Sequence, residues 1–286
     1  MIKYEWRTEL SAAEADELRD VLQRASEYDA EPGYSTIDFA SVAQSMAEQD
    51  SKDCHLVIWM LPHATALAEP DEPERIAGLV RLQHTGSGCA DGTAVIDPRL
   101  RSIGIMTLLT EQLGLDTTGP TGWVGTGAHT ISCWARGNHP AAGRLSNRFL
   151  VPRTRQVWQL IRGTDPDPEL AGAPVLEPAA ATGAGTSWTL REAGRALGTA
   201  TLSSVTFDSE EFGVCSVISD IEFSPSAPAG ALRRLLYGIS VIAHEAGRTG
   251  VVVNVDSNDP ALVNAARLAG FHHDRTDVRY QLGGTP

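Results

Sequence analysis

Residues 95–109 read Val-Ile-Asp-Pro-Arg-Leu-Arg-Ser-Ile-Gly-Ile-Met-Thr-Leu-Leu. They set Arg101 and Gly104 three apart, between a β-type run and an apolar helical pattern. A turn of this kind aims successive backbone N–H groups and the positive end of a helix dipole at one point, so it can hold an anion. Glycine permits the close approach that a β-carbon would block. An arginine beside it adds charge-assisted bonds to a phosphate. The expected anion contacts are Arg101, Ser102, Ile103, Gly104, Ile105, Met106 and Thr107. The strand before them, at Val95 and Ile96, can offer unpaired backbone groups to an extended ligand.

Other chemistry-bearing residues are fewer. In Ser-Val-Ile-Ser-Asp-Ile-Glu-Phe, Asp220 and Glu222 alternate with Ile221 and Phe223, which places both carboxylates on one face of a strand. They can take a proton there or simply face solvent. Asp29, Glu31 and Ser35 sit in a polar stretch, Glu-Tyr-Asp-Ala-Glu-Pro-Gly-Tyr-Ser-Thr, that reads as a surface loop. His244-Glu245 opens His-Glu-Ala-Gly-Arg rather than a zinc-binding HExxH. Cys54, Cys89, Cys133 and Cys215 form no metal-ligand spacing, so no metal is expected and the thiols read as reduced.

The elements that must position these groups follow from patterning. At 286 residues the chain fits two modest domains. Its net charge of −13 argues against a nucleic-acid partner, which would need basic surface. The longest apolar run, Leu-Val-Ile-Trp-Met-Leu at 56–61, is too short to cross a bilayer, and the first twenty residues hold no signal-peptide core. A cytoplasmic protein without a membrane partner is expected. Residues 163–187, rich in Pro, Ala and Gly, read as a linker between 1–162 and 188–286.

The first part mixes helices and strands. A helix follows Ser11, with Glu14 completing a capping box. The second part opens directly with strands. The later stretches of the two parts correspond. Pro98 precedes Leu108-Leu109 by the same spacing as Pro225 precedes Leu235-Leu236, and Asn-His-Pro-Ala at 138–141 answers Asn-Asp-Pro-Ala at 258–261. This is an internal repeat whose second copy lacks the opening strand and two helices of the first.

Val-Ile-Asp-Pro-x-x-Arg-x-x-Gly-Ile resembles the acetyl-CoA pyrophosphate signature of the GNAT acetyltransferases, with Met106 where Gly or Ala is usual. The tandem arrangement is also similar to the mycothiol acetyltransferase family. The stretches that carry that likeness are Glu-Trp-Arg-Thr-Glu-Leu at the start, Cys-Trp-Ala-Arg-Gly-Asn-His-Pro near 133–140 and the segment 255–284. The resemblance implies a mixed-sheet α/β fold of two GNAT lobes, the second truncated. It implies acetyl-CoA on residues 95–96 and 101–107, with Arg101 near the pyrophosphate.

The acceptor it implies is a small-molecule amine, the cysteinyl amine of Cys-GlcN-Ins in mycothiol biosynthesis. Asp29, Glu31 and Ser35 would lie on that sugar-inositol substrate. The chain departs from the family in its second half. Aligned through Pro225, the base position falls on Val217 and the phosphate loop reads Pro228, Ala231, Arg233; the tyrosine position falls on Ala266. Asp220 or Glu222 could then replace the base. In the first half the matching positions are Thr93 and Leu145, with Asp91, Asp97 and Ser146 nearby. Two alternatives stay open: an acyl-CoA-binding protein without catalysis, and a GNAT enzyme for another amine.

Overall fold

The computed structural model describes residues 1–48, 50–61, 74–165, 174–228 and 230–284. The chain divides into two compact units, one of residues 1–155 with 277–286, the other of residues 156–276.

The first unit starts with β1 (Ile2–Arg7), α1 (Ala12–Asp29) and α2 (Phe39–Ala47). Ser11 and Glu14 form the expected capping box on α1. The apolar stripe Leu18, Val21, Leu22 and Ala25 follows helical spacing and is fully buried. Three antiparallel strands come next: β2 (Cys54–Met60), β3 (Arg75–Gly86) and β4 (Cys89–Ile96). After α3 (Ile105–Leu113), strand β5 (Thr130–Ala135) lies parallel to β4, and α4 (Pro140–Phe149) follows. The sheet runs β1-β2-β3-β4-β5 and is completed beside β5 by Val278–Gly283 of the C-terminal strand, antiparallel.

Strand alternation divides the core. Val57, Trp59, Leu79 and Val95 face α1 and α2, while Leu56, Ile58 and Val80 face α3.

The second unit contains most of β6 (Arg153–Gly163), then β7 (Glu177–Thr182), β8 (Gly185–Glu192), β9 (Arg195–Ser209), β10 (Gly213–Phe223), α5 (Ala231–Glu245), β11 (Gly250–Asp256), α6 (Pro260–Leu268) and the first part of β12 (His272–Gly283). Its strand order is β6-β11-β10-β9-β8-β7, with β10 and β11 parallel. Helices α5 and α6 share one core with Val251, Val253, Val255 and Ile218. On the opposite face two polar rows cross the strands: Ser187, Thr201, Asp220 and Thr189, Thr199, Glu222.

Two expectations need correction. The stretch 163–187 is not all linker: residues 177–182 are a strand and 185 begins another, while 166–173 lie outside the described residues. The second copy therefore has its opening strand, and lacks only the two helices. Glu-Pro-Ala-Ala-Ala-Thr has little β propensity of its own; antiparallel pairing with β8 makes it a strand.

Buried histidine gives the first unit a pH-dependent core. His55 is 2% exposed, and its Nε2 lies 3.0 Å from Ser45 Oγ. Ser45 spends its own proton on the Val42 carbonyl, so the imidazole is the donor. Burial, with help from the Arg81 charge, lowers the His55 pKa to about 4. The unfolded chain takes up a proton near 6.5 that the folded chain refuses until about 4. Stability from this group is thus complete above pH 6.5 and is lost as pH falls through that window, by about 3 kcal/mol in all. Urea unfolding of the wild type and of His55→Gln at stepped pH should show the steeper fall in the wild type. Equal slopes would contradict it.

Candidate functional site

Parallel strands β4 and β5 pair only from Cys89↔Thr130 to Gly92↔Cys133. Beyond Gly92, β4 keeps its partner β3 on one edge but has no strand partner among the described residues on the β5 edge. Exposure marks the gap. On the α3 side of β4, Gly92 is buried and the next residue on that side, Ala94, is exposed, although its partner Val80 is buried; Cys133 is exposed as well. A cleft therefore opens between the strand ends, with unpaired peptide groups on its β4 edge.

The turn after β4 ends at this cleft. Asp97 caps a short 3-10 turn at Pro98–Leu100 and is 1% exposed. Burial alone would raise its pKa, but bonds from Arg99 and Arg24 outweigh it and hold the carboxyl at about 2. Ser102 and Gly104 both adopt positive φ, 68° and 88°. Gly104 is the N-cap of α3, no side chain caps that helix, and a β-carbon on Gly104 would meet only open space. The first-turn amides of α3 are thus accessible to a ligand.

Arg101 does not extend into that space. Its Nη1 and Nη2 donate to the two carboxylate oxygens of Asp29 at 2.6 and 2.7 Å, and its Nε donates to the Ile96 carbonyl at 3.0 Å. Bonding to Asp29 raises its pKa. The expected phosphate contact meets a guanidinium whose fork is already filled by a carboxylate of matching geometry. The other expected residues divide similarly. The Val95 side chain is buried under α1, and Ile103 is exposed. Ser35 Oγ donates to the Trp134 carbonyl at 2.9 Å, and Glu31 is exposed. Asp220 and Glu222 are exposed in the second unit, on the face opposite Ile221 and Phe223, where an extra residue at Ser219 bulges β10.

The structure adds residues that the sequence did not single out. His139 caps α4, accepting the Ala141 N–H on Nδ1 at 3.1 Å. Its ring meets Tyr34 edge-on with centroids 4.4 Å apart. It also lies within electrostatic range of Arg101, Asp29 and Arg144. The β4 turn, the end of α1, the loop at 34–35 and the start of α4 therefore converge. The Asn-His-Pro-Ala repeat was the available signal.

The second unit repeats the arrangement with a shift. Parallel pairing of β10 and β11 ends at Ile218↔Val253. Gly230 caps α5 with φ 84°, again with no side-chain cap and open space at its β-carbon position. Counted from the caps, buried Ile105 and Leu109 match buried Ala231 and Leu235. The equal Pro-to-Leu-Leu spacing had placed Ala231 where glycine belongs. The turn from Pro225 is one residue shorter, and Gly230 is the counterpart of Gly104. Ala227, not an arginine, then stands for Arg101.

A cavity of about 620 Å³ lies elsewhere: Lys52, His84, Ser87 and Thr126 line it around the β3–β4 turn, at the opposite end of β4. Among the described residues no group of three or more His, Cys, Asp or Glu could hold a metal, and no helix is long and apolar enough to cross a membrane.

No family model matches the chain, and no curated protein does. Solved structures do match. A tandem GNAT protein from the clavulanic acid biosynthesis pathway is similar at 12% identity and TM-score 0.59, over 100% of both chains. A GCN5-related N-acetyltransferase from Sphaerobacter thermophilus is similar at 15% identity and TM-score 0.54, over 97% of this chain and 95% of that one. A GNAT-family acetyltransferase from Colwellia psychrerythraea is similar at 13% identity and TM-score 0.52, over 99% of both.

The Arg101–Asp29 pair carries a stability prediction. Arg101→Ala leaves the Asp29 carboxylate, 3% exposed, without its cation, and should cost about 3 kcal/mol. The double change Asp29→Leu with Arg101→Met should recover most of that. Urea unfolding checks both, and a loss under about 1 kcal/mol in the single variant would mean that the pair is dispensable. With its parallel strands parting ahead of a glycine-capped helix in each unit, and with these neighbours, the chain has the tandem GNAT fold, its second lobe lacking two helices.

Proposed function

We propose that the protein is an acyl-CoA-dependent N-acyltransferase, with acetyl-CoA as cosubstrate and a small-molecule primary amine as acceptor, and that the first unit does the chemistry. The single observation that carries this is the open β4–β5 cleft running into the uncapped N-terminus of α3. The free edge of β4 at residues 94–96, apart from the Ile96 carbonyl that Arg101 holds, pairs with the amide groups of the pantetheine arm. The α3 amides from Ile103 to Thr107 receive the pyrophosphate. Arg101 positions that turn through Asp29 and Ile96 rather than bonding phosphate itself.

The amine nitrogen attacks the thioester carbonyl carbon, a C–N bond forms, the C–S bond breaks, and CoA leaves as thiol. No carboxylate stands at the base position on β4, which is Thr93. Water carries the amine proton away, which a primary amine permits. Cys-GlcN-Ins, the acceptor that the resemblance implies, is the first amine to try. Acetyl-CoA with this acceptor and a panel of other amines, followed by the appearance of CoA thiol, tests the reading.

A second reading is favoured by Gly230 and by Arg233. The latter is a half-buried cation in the first turn of α5 with no partner among the described residues. Here the second unit holds the CoA. Titration separates the two. Gly104→Val strains a left-handed residue by about 1–2 kcal/mol and crowds the amides, and should weaken CoA binding by at least roughly tenfold. Gly230→Val should leave that affinity unchanged. The reverse pattern would move the function to the second unit.

A further inference from the structure

The two edges of the β4–β5 cleft are not equally free. Thr130 of β5 donates its N–H to the Gly88 carbonyl, on the β4 side. Backbone groups alternate sides along a strand, so those of Ser132 and Trp134, and then the Arg136 amide, also point toward β4. The far edge of β5 agrees. Gln281 of β12 gives its N–H to the Pro152 carbonyl, so its neighbours in the strand, Tyr280 and Leu282, turn their groups to β5 and meet Cys133 and Ile131. On β4, Asp97 donates to the Ala77 carbonyl of β3, which turns the groups of Ala94 and Ile96 toward β5.

The register then says what continued pairing would do. With Gly92 opposite Cys133, one more step would put the Ala94 N–H on the Trp134 carbonyl and the Arg136 N–H on the Ala94 carbonyl. The pairing stops before that step, and Ser35 Oγ makes both bonds instead. It donates to the Trp134 carbonyl at 2.9 Å and accepts the Arg136 N–H at 3.4 Å. A hydroxyl has one proton to give and lone pairs to receive, so one oxygen stands where a peptide N–H and C=O would stand.

The loop that carries Ser35 is pressed against the end of β5. A β-carbon on Gly137, at φ 61°, would meet the Pro32 carbonyl oxygen at 2.6 Å and the Tyr34 ring at 3.0 Å. Glycine is what lets the loop come so close. The Tyr34 N–H bonds the Asp29 carbonyl, and the Asp29 carboxylate holds Arg101, so this loop and the turn after β4 share an anchor. The second unit lacks the two helices and with them the loop that would carry such a hydroxyl.

An open strand edge pairs with any peptide group that comes near. Resting on the acyltransferase reading above, we infer that Ser35 is a positioning residue of the cleft. Its hydroxyl replaces the Ala94 peptide groups on the β5 edge and keeps the strands from zipping past Gly92. The N–H and C=O of Ala94, an exposed residue, are thereby left for the amide-bearing arm of the cosubstrate. Ser35 acts through the strand backbones and touches no reacting atom.

The test uses the whole protein: amide exchange read by NMR without ligand, then titration with CoA. Ser35→Ala removes the hydroxyl and Ser35→Thr keeps one. In Ser35→Ala the β5 edge takes up the Ala94 peptide, so exchange at the Ala94 amide should slow at least roughly tenfold. CoA affinity should fall at least roughly tenfold as well. Ser35→Thr should stay near wild type in both. A loop that had merely loosened would quicken exchange at Ala94 and not slow it. Unchanged or faster exchange at Ala94 in Ser35→Ala would overturn the inference, and so would an unaltered CoA affinity. A wild-type protein that binds no CoA, while Ala94 exchange still slows in Ser35→Ala, would count against the acyltransferase reading and leave the role of Ser35 between the strands standing.

Discussion

A guanidinium bonded through each of its three nitrogens joins three segments of the first unit. Arg101 ties the turn after β4 to the last residue of α1 and to the final carbonyl of β4. Asp29 is almost fully buried, and a charge in that position is tolerated only with a partner of opposite sign and matched geometry. The ion pair therefore fixes the turn more than it stabilises the fold. It sets the path by which the chain leaves β4, passes Ser102 in a left-handed conformation and reaches the glycine that opens α3. The orientation of the α3 amides and the width of the cleft both depend on that path. The proposed division of labour follows: side chains hold the backbone, and backbone amides hold the ligand.

The two units apply one plan to different ends. Both stop a parallel strand pair partway and place a glycine-capped helix after it. Only the first covers the other sheet face with helices, α1 and α2, whose loop brings Tyr34 and Ser35 to the strand ends. In the second unit the strands pass from β7 straight to β8, and the corresponding face carries hydroxyls and the carboxylates of Asp220 and Glu222. An acceptor needs walls on that side of a cleft, which supports assigning the chemistry to the first unit.

Much of this was legible in the chain. The Ser11–Glu14 box, the helical stripe of α1, the strand–turn–helix at 95–109 and the Pro-capped helices of the repeat are local patterns, and each folds as its local chemistry dictates. What was not legible depends on partners far apart in sequence. Asp29 and Arg101 are 72 residues apart, and nothing near either one announces the other. The strand at 177–182 exists because β8 pairs with it. The register of the repeat went astray by one residue because prolines were matched, whereas burial is counted from the helix cap. His139 was visible as part of a repeated tetrapeptide, but its surroundings depend on Tyr34 and Arg101 arriving from other elements.

Amide hydrogen exchange with and without CoA addresses the central claim most directly, because it reads the backbone groups that are proposed to bind. The account predicts slowed exchange at Ile103–Thr107 and at Ala94 and Ile96 when CoA is added, with the α5 amides after Gly230 less affected. Protection confined to the start of α5, or none at residues 103–107, would contradict it.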